Sequence, residues 1–385
     1  MTEASLRELL MRYPSSESKN SLSLHLIFPY DKLRNVHIDL YTKEGIKMRI
    51  VIDGMGGDNA PSAIVQGCVE AAALISHQIL IVGEEALIYK ELSKYKYDPE
   101  QITVINASDV ITNEDAPVRA VRTKTESSMV KGITMLKERK ADLFISAGNT
   151  GAIMAGGLFI LGRIQGIDRP ALAATYPMLS GRGVALLVDS GANVECKPNN
   201  LLEYATMGSI YMKKVLGVDN PRVGLVNVGS EEGKGTTIIK SAYELLKRSN
   251  LNFVGNIEAR DLPKGSCDVI VCDGFVGNVI LKLTEGLAWS ILKLLKAKFT
   301  AGLVPKMGAI LLSGKFKELK EEFDYSEYGG APILGVKGTI VKMHGSSGVS
   351  AVKNTILKGI PFAENNVVQF IQDSVLELEE VIISE

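Results

Sequence analysis

The sequence at residues 49–61 is RIVIDGMGGDNAP. It begins with an apolar run, Arg49 to Asp53, which predicts a strand buried on both faces. A glycine-rich turn follows, and Pro61 then begins a helical pattern that extends to Ile75. A strand, a glycine turn and a helix in that order are the building unit of a parallel α/β sheet.

The same unit is repeated between residues 146 and 278, where glycine and asparagine fill the turns. Glycine lets backbone N–H groups approach a ligand closely, and a helix that starts at the turn directs unpaired donors at that ligand. Asparagine adds a neutral side-chain donor for a phosphate oxygen or a developing oxyanion. We therefore expect an enzyme that handles phosphate. The turns are Gly148–Gly151, Gly191–Asn193, Asn227–Ser230 and Asp273–Asn278.

Short Val/Ile/Leu runs after Met48 alternate with helical patterns along most of the chain. This alternation predicts an α/β fold, a three-layer α/β/α sandwich with a mostly parallel sheet. In such sheets ligands collect beyond the carboxyl ends of the strands, where each glycine–asparagine turn falls. The predicted strands are residues 49–53, 79–83, 102–105, 142–146, 184–189, 222–227, 252–255, 268–272 and 339–342. The predicted helices include residues 61–75, 150–161, 199–215 and 234–249.

Composition excludes several classes of protein. The chain has 385 residues, 46% of them hydrophobic, which is enough for one large α/β domain or two joined ones. Its 43 Lys and Arg residues balance 44 Asp and Glu residues, so no global charge favours a nucleic-acid partner. The four cysteines form no CxxC pair, so no metal site is expected. No uninterrupted apolar stretch approaches the about 20 residues that span a bilayer, so we expect a soluble or peripheral protein.

Two motifs nearly match nucleotide-binding signatures. Gly54–Asn59 resembles the dinucleotide fingerprint but lacks its last glycine, and Asp58 would place a carboxylate beside a pyrophosphate. Gly229–Thr236 resembles a P-loop but is one residue short, with Gly235 in place of the residue that binds magnesium. We therefore expect neither a nicotinamide cofactor nor nucleotide hydrolysis, and no other cofactor.

Residues 1–47 differ from the rest of the chain. They carry scattered charge and no strand–turn–helix alternation, and their longest apolar run, Leu22 to Phe28, lacks the features of a secretory signal. We expect residues 1–47 to be an N-terminal extension that is a candidate for disorder. The folded catalytic domain is expected to comprise residues 48–385.

A protruding helical hairpin is predicted within this domain, at about residues 285–323. Its first helix begins at Phe275 and ends near Phe299, and glycines and Pro305 interrupt the tip. Lysines around exposed Leu and Ile suit insertion into an anionic membrane surface, and a hydrophobic dimer contact is the alternative. The predicted membrane-contacting residues are Leu303, Val304, Met307, Ile310, Leu311 and Leu312.

The histidines do not support a hydrolase triad. Only His77 and His344 follow Met48, and no G-x-S-x-G elbow is present. His77 lies at a helix end before a strand and is interpreted as structural. His344 begins another turn of small residues that leads into a helix. An anion-contacting role and a structural role are both open for it.

Eight segments stand in a fixed order from Met48 nearly to the C-terminus, and together they closely resemble the bacterial phosphate acyltransferases, the PlsX family. Two departures are the N-terminal extension and Asn59, where many members have histidine. Position 59 is therefore given no proton-transfer role. The segments are VIDGMGGDNAP (51–61), ISAGNTGA (145–152), GIDRPALA (166–173), VDSGANVECKP (188–198), GLVNVGSEEGKG (224–235), FVGNIEARDL (253–262), CDGFVGNVILK (272–282) and KMHGSS (342–347).

The resemblance implies a cytoplasmic homodimer associated peripherally with the inner face of the cell membrane. Its sheet would be similar to that of isocitrate and isopropylmalate dehydrogenases. It would transfer a long-chain fatty acyl group from acyl carrier protein to inorganic phosphate. The acyl phosphate would supply a membrane glycerol-3-phosphate acyltransferase at the start of phospholipid synthesis. Carrier protein is acidic, so basic clusters such as Arg119, Arg122 and Lys124, or the hairpin lysines, are expected to dock it.

In this reaction phosphate is itself the nucleophile, so positioning and oxyanion stabilisation replace a catalytic serine or cysteine. We assign Lys234 to hold phosphate, Asn278 to stabilise the oxyanion, and His344 to assist phosphate or the leaving thiol. Turn formation or helix capping is the alternative role of the turn asparagines, and a solvated surface position that of Lys234. The expected substrate-binding residues are Asp53, Gly56, Gly57, Asp58, Ser146, Asn149, Thr150, Gly151, Asn193, Asn227, Gly229, Gly274 and Gly277.

Two other functions compete with this one. A phosphotransacetylase would use the same chemistry on short acyl-CoA and would not need an apolar hairpin. A non-catalytic, membrane-docked binder of acyl carrier protein would never consume phosphate. Turnover of palmitoyl carrier protein against acetyl-CoA separates the two enzymes. Loss of carrier binding in Lys234→Ala and Asn278→Ala, in a protein that never consumes phosphate, would indicate the binder.

Overall fold

The computed structural model of the chain describes residues 47–179, 183–316 and 329–383. Within them, strands and helices alternate as the repeated unit predicts. The N-terminal extension up to residue 46 and the hairpin beyond residue 316 lie outside the described residues. The strands are β1 (Arg49–Asp53), β2 (Gln78–Gly83), β3 (Ile102–Asn106), β4 (Leu143–Ser146), β5 (Ala171–Met178), β6 (Gly183–Val188), β7 (Arg222–Val226), β8 (Asn252–Ile257), β9 (Val269–Val271), β10 (Ala331–Leu334) and β11 (Ile340–Lys342). The helices are α1 (Ser62–Ala72), α2 (Glu85–Leu92), α3 (Pro117–Thr123), α4 (Ser128–Lys137), α5 (Thr150–Gly156), α6 (Pro198–Lys214), α7 (Thr237–Arg248), α8 (Gly274–Thr300), α9 (Leu303–Leu311), α10 (Val349–Glu364) and α11 (Val367–Ile383).

The described strands form one sheet, in the order β3-β2-β1-β4-β11-β10-β5-β6-β9-β7-β8. Strands β1 to β4 and β11 are parallel to one another, as are β6, β9, β7 and β8. Between these halves, β10 is antiparallel to β11 and to β5, and β5 is antiparallel to β6. Three successive reversals leave the two halves pointing in opposite directions. The carboxyl ends of the two halves therefore lie at opposite edges of the sheet, where an edge is the row of strand ends.

Helices cover both faces of the sheet. Because side chains alternate along a strand, Ile50 and Ile52 point to one face of β1 and Val51 to the other. The first face packs against α1, α2, α6, α7, α10 and α11, and the second against α3, α4, α5 and α8. The expected three-layer α/β/α sandwich with a mostly parallel sheet is confirmed.

The sequence patterns do not predict β5 and β10, the two strands that reverse the sheet. Strand β5 contains three alanines and Pro177, and β10 has four residues and includes Pro332. Alanine and proline are depleted in strands, so neither segment has the composition on which the strand predictions depend.

Helices α8 and α9 form the predicted hairpin as far as residue 316. The chain turns at Gly302, whose φ is 97°, and the rings of Phe299 and Phe316 meet with centroids 4.8 Å apart. The chain therefore folds back along α8 after α9. Side chains on α9 remain exposed, with Val304 81% and Leu311 86% accessible.

Among the described helices, α8 alone is long and apolar enough to cross a membrane by length and composition. This length of apolar helix is not evident from the sequence pattern, because Lys282 and Glu285 interrupt the apolar run. In this structure the start of α8 lies on the sheet, where the hydroxyl oxygens of Tyr176 and Thr284 are 3.3 Å apart. Only 17% of its most apolar window is buried within the chain.

Candidate active site

Asp189 organises the turn that follows β6. Its buried carboxylate accepts hydrogen bonds from the backbone amides of Gly191 (3.0 Å), Ala192 (2.9 Å) and Asn193 (2.7 Å), and from Asn193 Nδ2 (2.9 Å). Burial raises the pKa of this carboxyl, while the hydrogen bonds act in the opposite direction. The amides of this turn are therefore used inside the protein, and Asn193 has a structural contact rather than an open donor. The sequence analysis did not single out Asp189.

The next turn along the chain, after β7, is held together by Asn227. Its Oδ1 accepts from the amide of Val228 (2.8 Å), and its Nδ2 donates to the carbonyl oxygen of Lys234 (3.1 Å). Gly235, with a φ of 88°, packs so closely that a Cβ there would lie 2.5 Å from Asn227 Oδ1. The side chain of Lys234 is 54% exposed, and its ammonium lies 4.0 Å from Glu231 Oε1. The turn thus holds the stem of Lys234 over Gly229, where a Cβ would lie 3.3 Å from Lys234 Cγ.

The third turn begins α8. Asp273 caps the helix by accepting from the amide of Val276 (2.8 Å), and the amide of Gly274 donates to the carbonyl oxygen of Asn193 (2.7 Å). Asn278 lies in the second turn, on an exposed position beside Gly191, where a Cβ would be 3.5 Å from Asn278 Cβ. Its side-chain amide has no hydrogen bond to any described residue. Asn278 is therefore a donor that is available to a ligand.

A cleft of about 730 Å³ opens where α6, α7 and α8 begin. The hydroxyl of Thr236 caps α7 by accepting from the amide of Ile239 (3.3 Å), so the amides of Thr237 and Ile238 have no partner among the described residues. Asn227 and Asp273 line the same cleft, together with the exposed apolar side chain of Val228. Two free amides at a helix start beside apolar side chains suit a ligand with an anionic and an apolar part.

At the other edge of the sheet, Asp53 has the position that Asp189 has in its half. Its buried carboxylate accepts from the hydroxyl of Ser146 (2.7 Å) and the amide of Met55 (3.2 Å), and burial raises its pKa. Gly56 lies so close that a Cβ there would be 2.5 Å from Asp53 Oδ2 and 2.8 Å from the nitrogen of Gly148. Asp53 and Ser146 therefore lie beneath the turns and fix their shape.

Asn149 caps α5 at this edge. Its Oδ1 accepts from the amide of Ala152 (3.1 Å) and its Nδ2 donates to the carbonyl oxygen of Thr112 (3.1 Å). Both ends of the side chain are thus bonded within the protein, as the capping alternative expects. The amides of Thr150 and Gly151 have no partner among the described residues, so the helix start still offers two donors.

His344 lies beside the same turns. Its Nδ1 accepts from the amide of Ser346 (3.2 Å) and lies 2.8 Å from Ser346 Oγ, which leaves Nε2 for a ligand. Burial, followed by the charges of Lys342 and Lys282, lowers the pKa of His344. Asn59 Nδ2 donates to the carbonyl oxygen of Ser346 (3.0 Å), so the residue at this departure from the family pattern joins two loops.

The predicted site residues thus form two groups at opposite edges of the sheet, and one face of α8 connects them. Asn278, Lys282 and Glu285 are spaced i, i+4 and i+7, and they span about 10 Å of helix. The charges of Lys282 and Glu285 both act on the pKa of His344. The Asp189 group contains Asp189, Asn193, Asn227, Gly229, Lys234, Gly274, Gly277 and Asn278. The Asp53 group contains Asp53, Gly56, Gly57, Asp58, Ser146, Asn149, Thr150, Gly151 and His344.

The cysteines are poorly suited to attack a substrate. All four are buried, and burial raises the pKa of each thiol, that of Cys267 to about 12. A thiol is nucleophilic only as the thiolate, so these side chains are inert near neutral pH. In the described part of the chain, no cluster of three His, Cys, Asp or Glu side chains is arranged to hold a metal ion.

The expected docking cluster is only partly available. Lys124 is held by Asp115, at 2.8 Å, which raises the pKa of the lysine. The guanidinium of Arg122 lies 4.9 Å from the centroid of the Phe159 ring, which is 52% exposed. Arg119 and Arg122 remain as outward charges of this cluster.

Free amides at helix starts and a neutral side-chain donor on a three-layer sheet suit an enzyme that positions one substrate to attack another. A solved structure has a similar fold. A phosphotransacetylase from Streptococcus pyogenes superposes with a TM-score of 0.56 at 16% identity, over 89% of this chain and 99% of that one.

Sequence comparison identifies the family. The family model described as "Fatty acid synthesis protein" matches residues 48–370. A phosphate acyltransferase of Alkaliphilus oremlandii is 55% identical over 331 residues, which cover 86% of this chain and 98% of the relative. A phosphate acyltransferase of Clostridioides difficile is 49% identical over 333 residues, again 86% of this chain and 98% of the relative. The chain belongs to the phosphate acyltransferase (PlsX) family and is an acyltransferase, as its eight segments predict.

Proposed function

We propose that the protein transfers a long-chain fatty acyl group from acyl carrier protein to inorganic phosphate. Acyl transfer to phosphate is what the names of its relatives describe. The observation that supports a long acyl chain is an apolar surface that starts at the Asp189 group. Phe275 and Leu283 on α8 are 60% and 67% exposed, and the surface continues along the hairpin. A short acyl group gains nothing from such a surface, whereas each buried methylene of a long chain contributes about 0.8 kcal/mol.

The proposed reaction needs no covalent intermediate. An oxygen of phosphate attacks the thioester carbonyl carbon, the new C–O bond forms and the C–S bond breaks. The proton that phosphate gives up leaves with the carrier thiol. Lys234 holds the phosphate dianion, and Asn278 donates a hydrogen bond to the oxygen that becomes negative in the tetrahedral transition state. His344 belongs to the Asp53 group, at the other end of the α8 face from Asn278. In this proposal it contacts the part of the substrate that extends along α8.

The donor can be tested directly. With palmitoyl carrier protein and orthophosphate, and without metal or nucleotide, we expect acyl phosphate with a kcat/KM at least about 100-fold above that with acetyl-CoA. Higher turnover of acetyl-CoA would identify a phosphotransacetylase instead. Binding of carrier protein without any loss of orthophosphate would leave only the non-catalytic alternative.

We further propose that the hairpin joins the enzyme to its partners. Further along α8, the exposed residues Leu287, Ile291 and Leu294 are spaced i, i+4 and i+7, the spacing that packs against a second helix in a homodimer. On α9, Val304 and Leu311 are more exposed than any of these and suit a membrane surface. Peripheral attachment to the inner face of the cell membrane would deliver acyl phosphate to a membrane glycerol-3-phosphate acyltransferase for phospholipid synthesis.

Replacing Val304, Ile310 and Leu311 together by glutamate should weaken binding to anionic vesicles by more than about 100-fold, because three apolar side chains no longer enter the lipid. Co-sedimentation measures this loss, while activity on soluble donor should stay unchanged. Leu74→Glu, an exposed leucine away from the hairpin, is the control. Equal sedimentation of the triple variant and the wild type would refute the membrane role of α9.

A further inference from the structure

Lys342 is a half-buried cation that forms no direct ion pair within the described residues. It ends β11, and its ammonium makes no hydrogen bond or ion pair with any residue in the described ranges. Taking a charge out of water is costly unless an opposite charge compensates it. Burial, followed by the charge of Lys282, accordingly lowers the pKa of Lys342, while the charge of Glu285 acts in the opposite direction. A lysine kept in such a position indicates an anionic ligand that the chain itself does not supply.

The surroundings of Lys342 carry an excess of positive charge. Lys282, on α8, is near enough to act on Lys342, and Glu285 neutralises Lys282 in part at 3.3 Å. His344 lies two residues beyond, with a pKa held below its usual value by burial and by both lysines. Asp58 acts on His344 as the weakest of its neighbours and does not act on Lys342. One positive charge therefore stays uncompensated at this point.

The strand register fixes the side of the sheet to which Lys342 points. Its Cα pairs with that of Ser146, the last residue of β4. Ile340, two residues before Lys342, packs on the face of the sheet that α5 covers. Because side chains two apart share a face, Lys342 points to this same layer, which also contains α8.

We propose that Lys342 and Lys282 bind a phosphoryl group where β11 ends beneath α8. This deepens the proposed function, on which it rests, because it adds a phosphoryl-binding position one helical turn along α8 from Asn278. Orthophosphate waiting to attack and the phosphate of the pantetheine arm of the donor share the chemistry that such a position recognises. An uncharged ligand would leave the excess positive charge uncompensated.

Binding measurements separate this inference from the catalytic proposal, since they need no turnover. Lys342→Met keeps the apolar stem and removes the charge, and Lys337→Met removes an exposed lysine from the turn between β10 and β11 as a matched control. Calorimetric titration would use orthophosphate, 4′-phosphopantetheine and pantetheine in turn. We expect Lys342→Met to bind one of the two phosphorylated ligands at least about tenfold more weakly, with pantetheine unaffected. Lys342→Arg should retain most of the affinity.

The responding ligand identifies the source of the phosphoryl group. A loss confined to orthophosphate assigns the position to the attacking substrate, and a loss confined to phosphopantetheine assigns it to the donor arm. Without ligand, Lys342→Met should have a melting temperature equal to or above that of the wild type, since an unpaired half-buried charge has been removed. If Lys342→Met and the wild type bind both phosphorylated ligands equally, or the wild type binds neither, the inference is wrong.

Discussion

Asn278→Ala is expected to lower kcat by about 100- to 1,000-fold, the usual cost of losing one donor to a developing oxyanion. Asn278 is exposed beside Gly191, and its side chain is bonded to no described residue, so its loss should not disturb the fold. The hydrogen bond strengthens as the carbonyl oxygen becomes negative, so the KM for orthophosphate should change little. Initial rates of acyl phosphate formation at saturating substrates measure both constants.

Two variants make this test specific. Asn278→Asp keeps the size but replaces the donor by a negative acceptor, so it should lose at least as much activity. Ser290→Ala removes an exposed polar group three turns further along the same helix, where its hydroxyl donates to the carbonyl oxygen of Gly286 (2.8 Å). If Asn278→Ala retains kcat within a few-fold of Ser290→Ala, Asn278 does not stabilise the oxyanion.

The second large effect concerns Gly277, one residue before. A Cβ at Gly277 would collide with the carbonyl oxygen of Asp189 and would lie 3.1 Å from Cys272 Sγ. Backbone cannot move aside as a flexible side chain can, so Gly277→Ala must push α8 away from the end of β6. We expect a loss of at least about 3 kcal/mol in the free energy of unfolding, measured by urea denaturation.

Gly286→Ala is the matched control, because nothing lies within 4 Å of a Cβ at that position of the same helix. Replacing an exposed helical glycine by alanine stabilises by about 0.5–1 kcal/mol. The two substitutions should therefore shift the denaturation midpoint in opposite directions. Equal midpoints for the two variants would show that the close approach of α8 to Asp189 is absent in solution.

The fold follows from the sequence to the extent that each strand has the composition of a buried strand. The nine apolar runs become nine strands, whereas Pro177 in β5 and Pro332 in β10 conceal the two that connect the halves. Their pairing depends on contacts between distant parts of the chain, which local composition does not encode. Without β5 and β10, the prediction places all the glycine–asparagine turns at one edge of the sheet. In the structure the turns are divided between two opposite edges.

The site is predicted in its residue types but less well in what they do. Glycine and asparagine indicate turns that begin helices, and these are present. The amides of the Gly191 turn, however, bond to buried Asp189, and Asn149 and Asn227 bond to backbone. An aspartate that ends or follows a buried strand and precedes small residues is the usual start of such a turn. The positions of Asp53 and Asp189 therefore indicate turns whose amides bond to a carboxylate. No sequence pattern indicates the half-buried position of Lys342, because that position depends on how α8 lies across the sheet.

In the proposed reaction phosphate attacks the thioester itself, and rapid-quench mass spectrometry of the intact protein tests this step most directly. Mixed with palmitoyl carrier protein in the absence of orthophosphate, the enzyme should keep its own mass and release no carrier thiol. Acyl phosphate should appear only when orthophosphate is added. A gain of one acyl group by the protein, released by later addition of phosphate, would contradict the account and would direct attention to Ser346 beside His344.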